Sequence, residues 1–299
     1  MSREFEWPEI DRATPRWTGA GFELAGRPTA VLNYGQSESG WSEELTDFHE
    51  QTAGEGTHPI DVASRRRARA ALARHLTVSR AEAVLLEVGC SSGFFLEELV
   101  NEWPDSLVIG SDYIEGPLHR LAARQPSLPL LRFDLTRCPL PTASVDAVVM
   151  LNVLEHIEDD SAAVRQVHRV LKPGGLAIIE VPAGPHLFDA YDQHLHHFRR
   201  YALADLCRML EAQGFSIEER SHLGFFVYPG FALVKRRNRR LLDAPEEVRT
   251  SLVQQSIRKT GDGGSQGGLL GWAMALEERL EGWVSYPRGI RCTVAARRV

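Results

Sequence analysis

Closely spaced cysteines are missing from this chain: Cys90, Cys138, Cys207 and Cys292 stand far apart and form no C-x-x-C. That pattern argues against a disulfide framework and suits reduced thiols in a cytosolic protein. Lysine is scarce as well. Nearly all the basic residues are arginine, which reflects compositional bias rather than function. No apolar run reaches membrane-spanning length, and MSREFEWPEIDR at the start is too polar for a secretory leader, so a cytoplasmic location is expected. Positive charge is in deficit. A formal charge of −6 gives no general attraction to phosphate backbones, so nucleic acid is not an expected partner. What remains, 43% hydrophobic and 25% charged residues in 299, suits one large globular domain or one domain with an appendage.

The most informative stretch is Ala83 to Val100, AVLLEVGCSSGFFLEELV. Ala83 to Val88 is a short apolar run interrupted near its end by Glu87, as in a strand buried on both faces. Gly89 to Gly93 is a glycine-bracketed turn, and Phe94 to Val100 reads as helix. Strand, turn and helix in that order bring backbone N–H groups and a positive dipole end to a ligand at the C-terminal edge of a sheet. The two glycines allow close backbone approach, and Glu87 sits where a charged amino group could be held. Three ligand classes compete for such a turn. A dinucleotide site needs G-x-G-x-x-G, a spacing that is not present. A hydrolase nucleophile elbow needs G-x-S-x-G, which Gly89-Cys90-Ser91-Ser92-Gly93 matches with Ser91 as the nucleophile. The third is the class I S-adenosylmethionine-dependent methyltransferases, whose first motif, E-x-G-x-G-x-G, is similar to Glu87 to Gly93 with Ser91 in place of the middle glycine.

From Ala83 onward strands and helices alternate, which predicts a parallel sheet covered on both faces. Strands are expected at Leu107–Ser111, Leu130–Phe133, Val145–Val153, Leu176–Val181, Phe215–Arg220 and Ile290–Ala296. Helices are expected at Asp61–Leu76, Pro117–Arg124, Ser161–Leu171 and Tyr201–Gln213. Asp112 ends the second strand roughly twenty residues past the glycine turn, the distance at which an acid meets ribose hydroxyls. Residues 1–58 lack periodicity. Their isolated aromatics (Trp7, Trp17, Phe22, Tyr34, Trp41) predict an irregular arm docked on a neighbouring surface, with a short helix near Ser42–Gln51.

In this order LLEVGCSSG, NVLEHI and LKPGG resemble the class I S-adenosylmethionine-dependent methyltransferases, over residues 60–222. Asp192 to Tyr201, DQHLHHFRRY, resembles the D-x-x-L-G-H-x-R-R-Y stretch of bacterial small-molecule and glycolipid-type members, with His196 in place of the glycine. The resemblance implies a Rossmann-like, doubly wound, mostly parallel seven-stranded α/β sheet with an antiparallel last strand. It also places the elbow on the first clear strand without an upstream oxyanion loop, which argues against Ser91 as a nucleophile. The implied cofactor is S-adenosylmethionine, leaving as S-adenosylhomocysteine. It would be held by Glu87, Gly89, Ser91, Gly93, Asp112, Tyr113, Asp134, Leu135 and Asn152. The expected base for an oxygen acceptor is His197, with His156 as the second candidate, and Arg199 and Tyr201 are expected to orient the acceptor. Positions similar to His156 and its LEHI segment contribute to a metal site with two acids in ubiquinone-pathway O-methyltransferases. Asn152 replaces the first acid here, so no metal is expected. No Asn/Asp-Pro-Pro-aromatic motif follows the fourth strand, and LNVLEH stands there instead. The expected acceptor is therefore a small molecule, a sugar or a lipid-linked precursor. A cofactor-binding regulatory module without activity is the contrasting class.

The expected organisation is an arm or lid (1–58), a core (59–222), a helical cap insertion with a Gly-rich linker (223–288) and a final core strand (289–299). Within the insertion, Phe225 to Val234 followed by KRRNRR suits a cap helix over the site with its basic run solvated; the same stretch, 225–240, is where membrane contact would occur. Leu269, Trp272, Leu276, Leu280 and Trp283 predict one apolar face of a last helix.

Overall fold

A computed structural model describes residues 5–35, 56–242, 268–280 and 284–299. Trp41, the expected helix near Ser42–Gln51, the side chains of Leu269 and Trp283 and nearly all of the Gly-rich linker lie outside the described residues.

The central sheet grows outward from β5 (Val84–Val88), whose five residues are all buried. Alternate side chains of β5 enter two different cores: Val84, Leu86 and Val88 one, Leu85 the other. That period of two explains why the strand reads as an unbroken apolar run. The chain passes from β5 to β6 (Leu107–Asp112) and β7 (Leu130–Arg132) on one side, then returns to β8 (Val145–Leu151) and β9 (Leu171–Pro182) on the other. β10 (Phe215–Leu223) and β11 (Arg291–Arg298) complete that flank, with β11 antiparallel to both of its neighbours. The strand order is β10-β11-β9-β8-β5-β6-β7-β4. Seven of these are the expected strands in the expected fold.

The eighth, β4 (Val31–Asn33), comes from the arm and pairs in parallel with β7. It follows a small sheet of β1 (Arg16–Trp17), β2 (Phe22–Leu24) and β3 (Arg27–Thr29). Trp7 and Phe22 meet edge-to-face at 4.9 Å and bury themselves in the main core, the docking expected of the arm's aromatics.

Helices cover both faces. α1 (Pro59–His75), α2 (Phe94–Glu102) and α3 (Glu115–Arg124) pack on one, α4 (Asp160–Val170) and α6 (Leu203–Ala212) on the other. In α4, Ala163, Val164, Val167 and Val170 recur at helical spacing and are fully buried; each valine contributes roughly 1.5–3 kcal/mol. Between β9 and α6 lies the short helix α5 (Ala190–His194). The insertion supplies α7 (Tyr228–Asn238) and α8 (Leu269–Leu280).

The apolar face expected of α8 is not the face it buries. Ala273, Met274 and Glu277 turn inward, whereas Trp272 is 62% exposed and Leu280 points outward. Glu277 determines the rotation: its two oxygens accept from the Gly224 and Phe225 N–H groups at 2.7 and 2.8 Å. Among the described residues no helix is long and apolar enough to cross a membrane.

Candidate active site

A cavity of about 720 Å³ opens at the C-terminal ends of the strands, where the chain order reverses between β5 and β8. One half is built from strand ends. Gly89 (φ 78°) and Gly93 (φ 82°) take left-handed backbone at the turn after β5, and a Cβ on Gly93 would lie 2.5 Å from Leu121. Ser91 also has positive φ, which presents its N–H to Asp112 Oδ2 at 2.8 Å. The other oxygen of Asp112 accepts from Ile114 N–H at 2.9 Å. Asp134 caps the short turn after β7, accepting from Thr136 N–H and Oγ1, both at 2.8 Å. Asn152, left-handed at φ 57°, ends β8 and donates its N–H to Glu180.

Gly89, Ser91, Asp112, Tyr113, Asp134, Leu135 and Asn152 all line the cavity. Glu87 and Gly93 do not. Gly93 is confined by the close approach of α3, and Glu87 lies buried one layer behind the wall. Burial, with Asp112 nearby, pushes the Glu87 carboxyl well above its usual range, and its Oε2 has no hydrogen-bond partner among the described residues. Two acids at adjacent strand ends beside a glycine turn form an acceptor set that fits the hydroxyl and amine donors of an adenosine.

The other half comes from the segment after β9, from the Leu154–His156 turn and from α7. α5 begins with a capping box in which Asp189 accepts from the Tyr191 and Asp192 N–H groups, while Asp192 Oδ2 accepts from Asp189 N–H. Asp192 is fully buried. Its Oδ1 accepts from His197 Nδ1 at 2.9 Å and from Arg200 at 2.8 Å, and its Oδ2 accepts from Lys235 at 2.8 Å. Burial alone would raise the Asp192 carboxyl, but His197, Lys235 and Arg200 together hold it well below the usual range. The carboxylate is thus ionised, so His197 carries its proton on Nδ1 and keeps a lone pair on Nε2. Burial lowers the His197 imidazole, as do Lys235 and Arg200, against the opposing pull of Asp192.

The two candidate bases meet edge-to-face, with ring centroids 4.7 Å apart, and both line the cavity. Beside them is Glu155, also on the wall and fully buried. Neither of its carboxylate oxygens has a hydrogen-bond partner among the described residues, and burial raises its pKa to about 8. Ligand-capable atoms of Glu155, His156 and His197 lie within 4.8 Å of one another. One carboxylate and two imidazoles can touch a divalent ion but do not close a four-ligand shell. The Asn152 replacement argues against a metal in the sequence, and nothing there places His197 beside this pair.

Two expected acceptor contacts are corrected. Arg199 pairs with Asp160 at 2.6 Å and donates to the Glu158 carbonyl, and the Tyr201 hydroxyl donates to Asp160 at 2.7 Å. They fasten the segment to the start of α4 and do not line the cavity. Their neighbour Arg200 does, 6% exposed and bound to Asp192 and the Ala183 carbonyl. Arg291 is a second missed wall residue, held by Asp61 at 2.7 Å and Glu180 at 2.9 Å. Of the basic run expected to be solvated, Lys235 turns inward.

Residues 86–179 match the "Methyltransferase domain" family model. A relative from Mycolicibacterium smegmatis, named "Probable S-adenosylmethionine-dependent methyltransferase", is 34% identical over 156 residues, 52% of this chain and 59% of its own length. The uncharacterized methyltransferase YdaC of Bacillus subtilis is 30% identical over 133 residues, 44% of this chain and 71% of its own. The chain thus spans under two thirds of the first relative and over two thirds of the second. A solved Haemonchus contortus phosphoethanolamine N-methyltransferase 2, in complex with S-adenosylmethionine, shares the fold with a TM-score of 0.51 at 17% identity, covering 87% of this chain and 60% of that one. The chain belongs to the S-adenosylmethionine-dependent methyltransferases, and the family's cofactor is S-adenosylmethionine.

Proposed function

We propose that this protein transfers a methyl group from S-adenosylmethionine to an oxygen of a small-molecule or lipid-linked acceptor, with His197 as the base. Bound at the strand ends, the cofactor supplies a methyl group on a sulfonium, already activated for displacement. Asp112 and Asp134 would receive the hydroxyl and amine donors of its nucleoside.

The observation that carries the reading is the Asp192–His197 hydrogen bond inside the same cavity as the strand-end acids. Asp192 fixes the tautomer, which frees Nε2 of His197 to take the acceptor's hydroxyl proton as the acceptor oxygen forms its new bond to carbon. Leu195, Phe198 and Phe231 line the same cavity and add apolar surface to it. Because the imidazole is held below its ordinary pKa of about 6.5, the base is neutral at pH 7, and kcat should fall only below that value. A cavity of this size suits a small ligand or the head of a larger one.

The test is to incubate the protein with S-adenosylmethionine and a panel of hydroxylated metabolites and lipid precursors, and to measure S-adenosylhomocysteine and a 14-dalton gain in the acceptor (one CH₂ on the mass scale). Cofactor binding by calorimetry without product from any acceptor would favour the regulatory module instead.

A further inference from the structure

Lys235 is the residue of the KRRNRR run that turns inward. It is 5% exposed, whereas Arg236, Arg237, Arg239 and Arg240 of the same run face outward. Its ammonium lies 2.7 Å from Asp189 Oδ1 and 2.8 Å from Asp192 Oδ2, against the rings of Tyr191 and Phe231. Burying an ammonium costs several kcal/mol unless its partners and hydrogen bonds compensate. Here the compensation is shared by the Asp189 and Asp192 carboxylates, and the two oxygens of Asp192 have divided duties. Oδ2 takes Lys235 and the Asp189 N–H, while Oδ1 takes His197 and Arg200. A carboxylate is planar, so fixing Oδ2 fixes the direction of Oδ1.

We propose that Lys235 is a positioning residue for the candidate base: from α7 it locks the Asp192 carboxylate so that Oδ1 holds the His197 imidazole in its Nδ1–H tautomer, with Nε2 toward the cavity. The inference rests on the reading of His197 as the base. It makes the insertion a working part of the acceptor site, one that acts on His197 through Asp192 without touching the acceptor.

The test compares the wild type with K235M, which keeps the side-chain stem, and K235Q, which keeps a donor but no charge. Three quantities are read: the ¹⁵N spectrum of the His197 imidazole, kcat and KM for methyl transfer, and cofactor affinity by calorimetry. We expect the single Nδ1–H signature of the wild type to give way to a mixture of tautomers. Turnover should fall about 10- to 100-fold, in line with an outer partner that orients an imidazole, with cofactor affinity within threefold. If one variant does not fold, the other is read alone. Wild-type tautomer and kcat in a folded variant overturn the proposal. If H197A itself retains turnover, the assignment of the base fails instead, and the ¹⁵N spectrum still reports whether Lys235 orients the ring.

Discussion

The two halves of the cavity are made in different ways. The strand-end half is held by local geometry. Asp112 is bonded to Ile114 two residues away, Asp134 to Thr136 at the same spacing, and the turn is shaped by glycines within one five-residue stretch. The half that holds His197 is held by long-range charge. Lys235 reaches Asp192 across 43 residues, and Arg200 reaches the Ile290 carbonyl across 90. A site for one constant ligand can be written into a few consecutive residues. The second half is assembled from distant segments, and its parts are held by buried ion pairs that fail if one member is lost.

This contrast can be tested by breaking each half. The largest effect should come from the acceptor side: H197A should lower kcat by about 10²–10⁴ with cofactor affinity unchanged in calorimetry. Loss of binding along with turnover would mean that the halves are not separable. On the strand-end side, D112N keeps the shape of the side chain but loses its charge, and should weaken cofactor binding about 10- to 100-fold, the worth of one or two charge-assisted hydrogen bonds.

A smaller effect concerns stability. Burial keeps Glu155 protonated to about pH 8 in the fold, against roughly 4.3 in an unfolded chain. Between these values the folded state binds more protons, so this stabilisation is full at low pH and is lost as pH rises through 8. E155Q should therefore melt several degrees higher relative to wild type near pH 9 than near pH 5. A pH-independent gap would show that the carboxyl is not desolvated. R199A should leave the acceptor KM within about threefold, because its guanidinium is bound to Asp160 at the start of α4 and does not line the cavity. Smallest of all, chelation with EDTA should not change turnover if Glu155, His156 and His197 act as a proton-handling group. A loss restored by added divalent ion would assign those three side chains to metal.

What the sequence revealed follows the same division. The glycine turn, Asp112 and the fold were legible because each depends on a short run whose spacing has a mechanism. Arg200 was missed beside Arg199 because adjacent residues in an irregular segment carry no periodicity to say which turns inward. Lys235 sat in a basic run that composition alone reads as solvated. Its burial depends on Asp189 and Asp192, which only folding brings near. β4 escaped notice because three residues, Val-Leu-Asn, are too short to show a period of two. The last helix was misread because its hydrophobic count favoured Trp272, while its rotation is set by one carboxylate capping backbone amides in another segment.

The position of β4 bears on how the molecule behaves among copies of itself. Lying alongside Leu130–Arg132, it occupies the backbone donors and acceptors that would otherwise end the sheet there. A shortened chain that starts after Asn33 would leave that rim open to a strand from a neighbouring molecule. Such a product should self-associate while its glycine turn remains intact, so its first symptom would be turbidity and not a loss of affinity for the nucleoside.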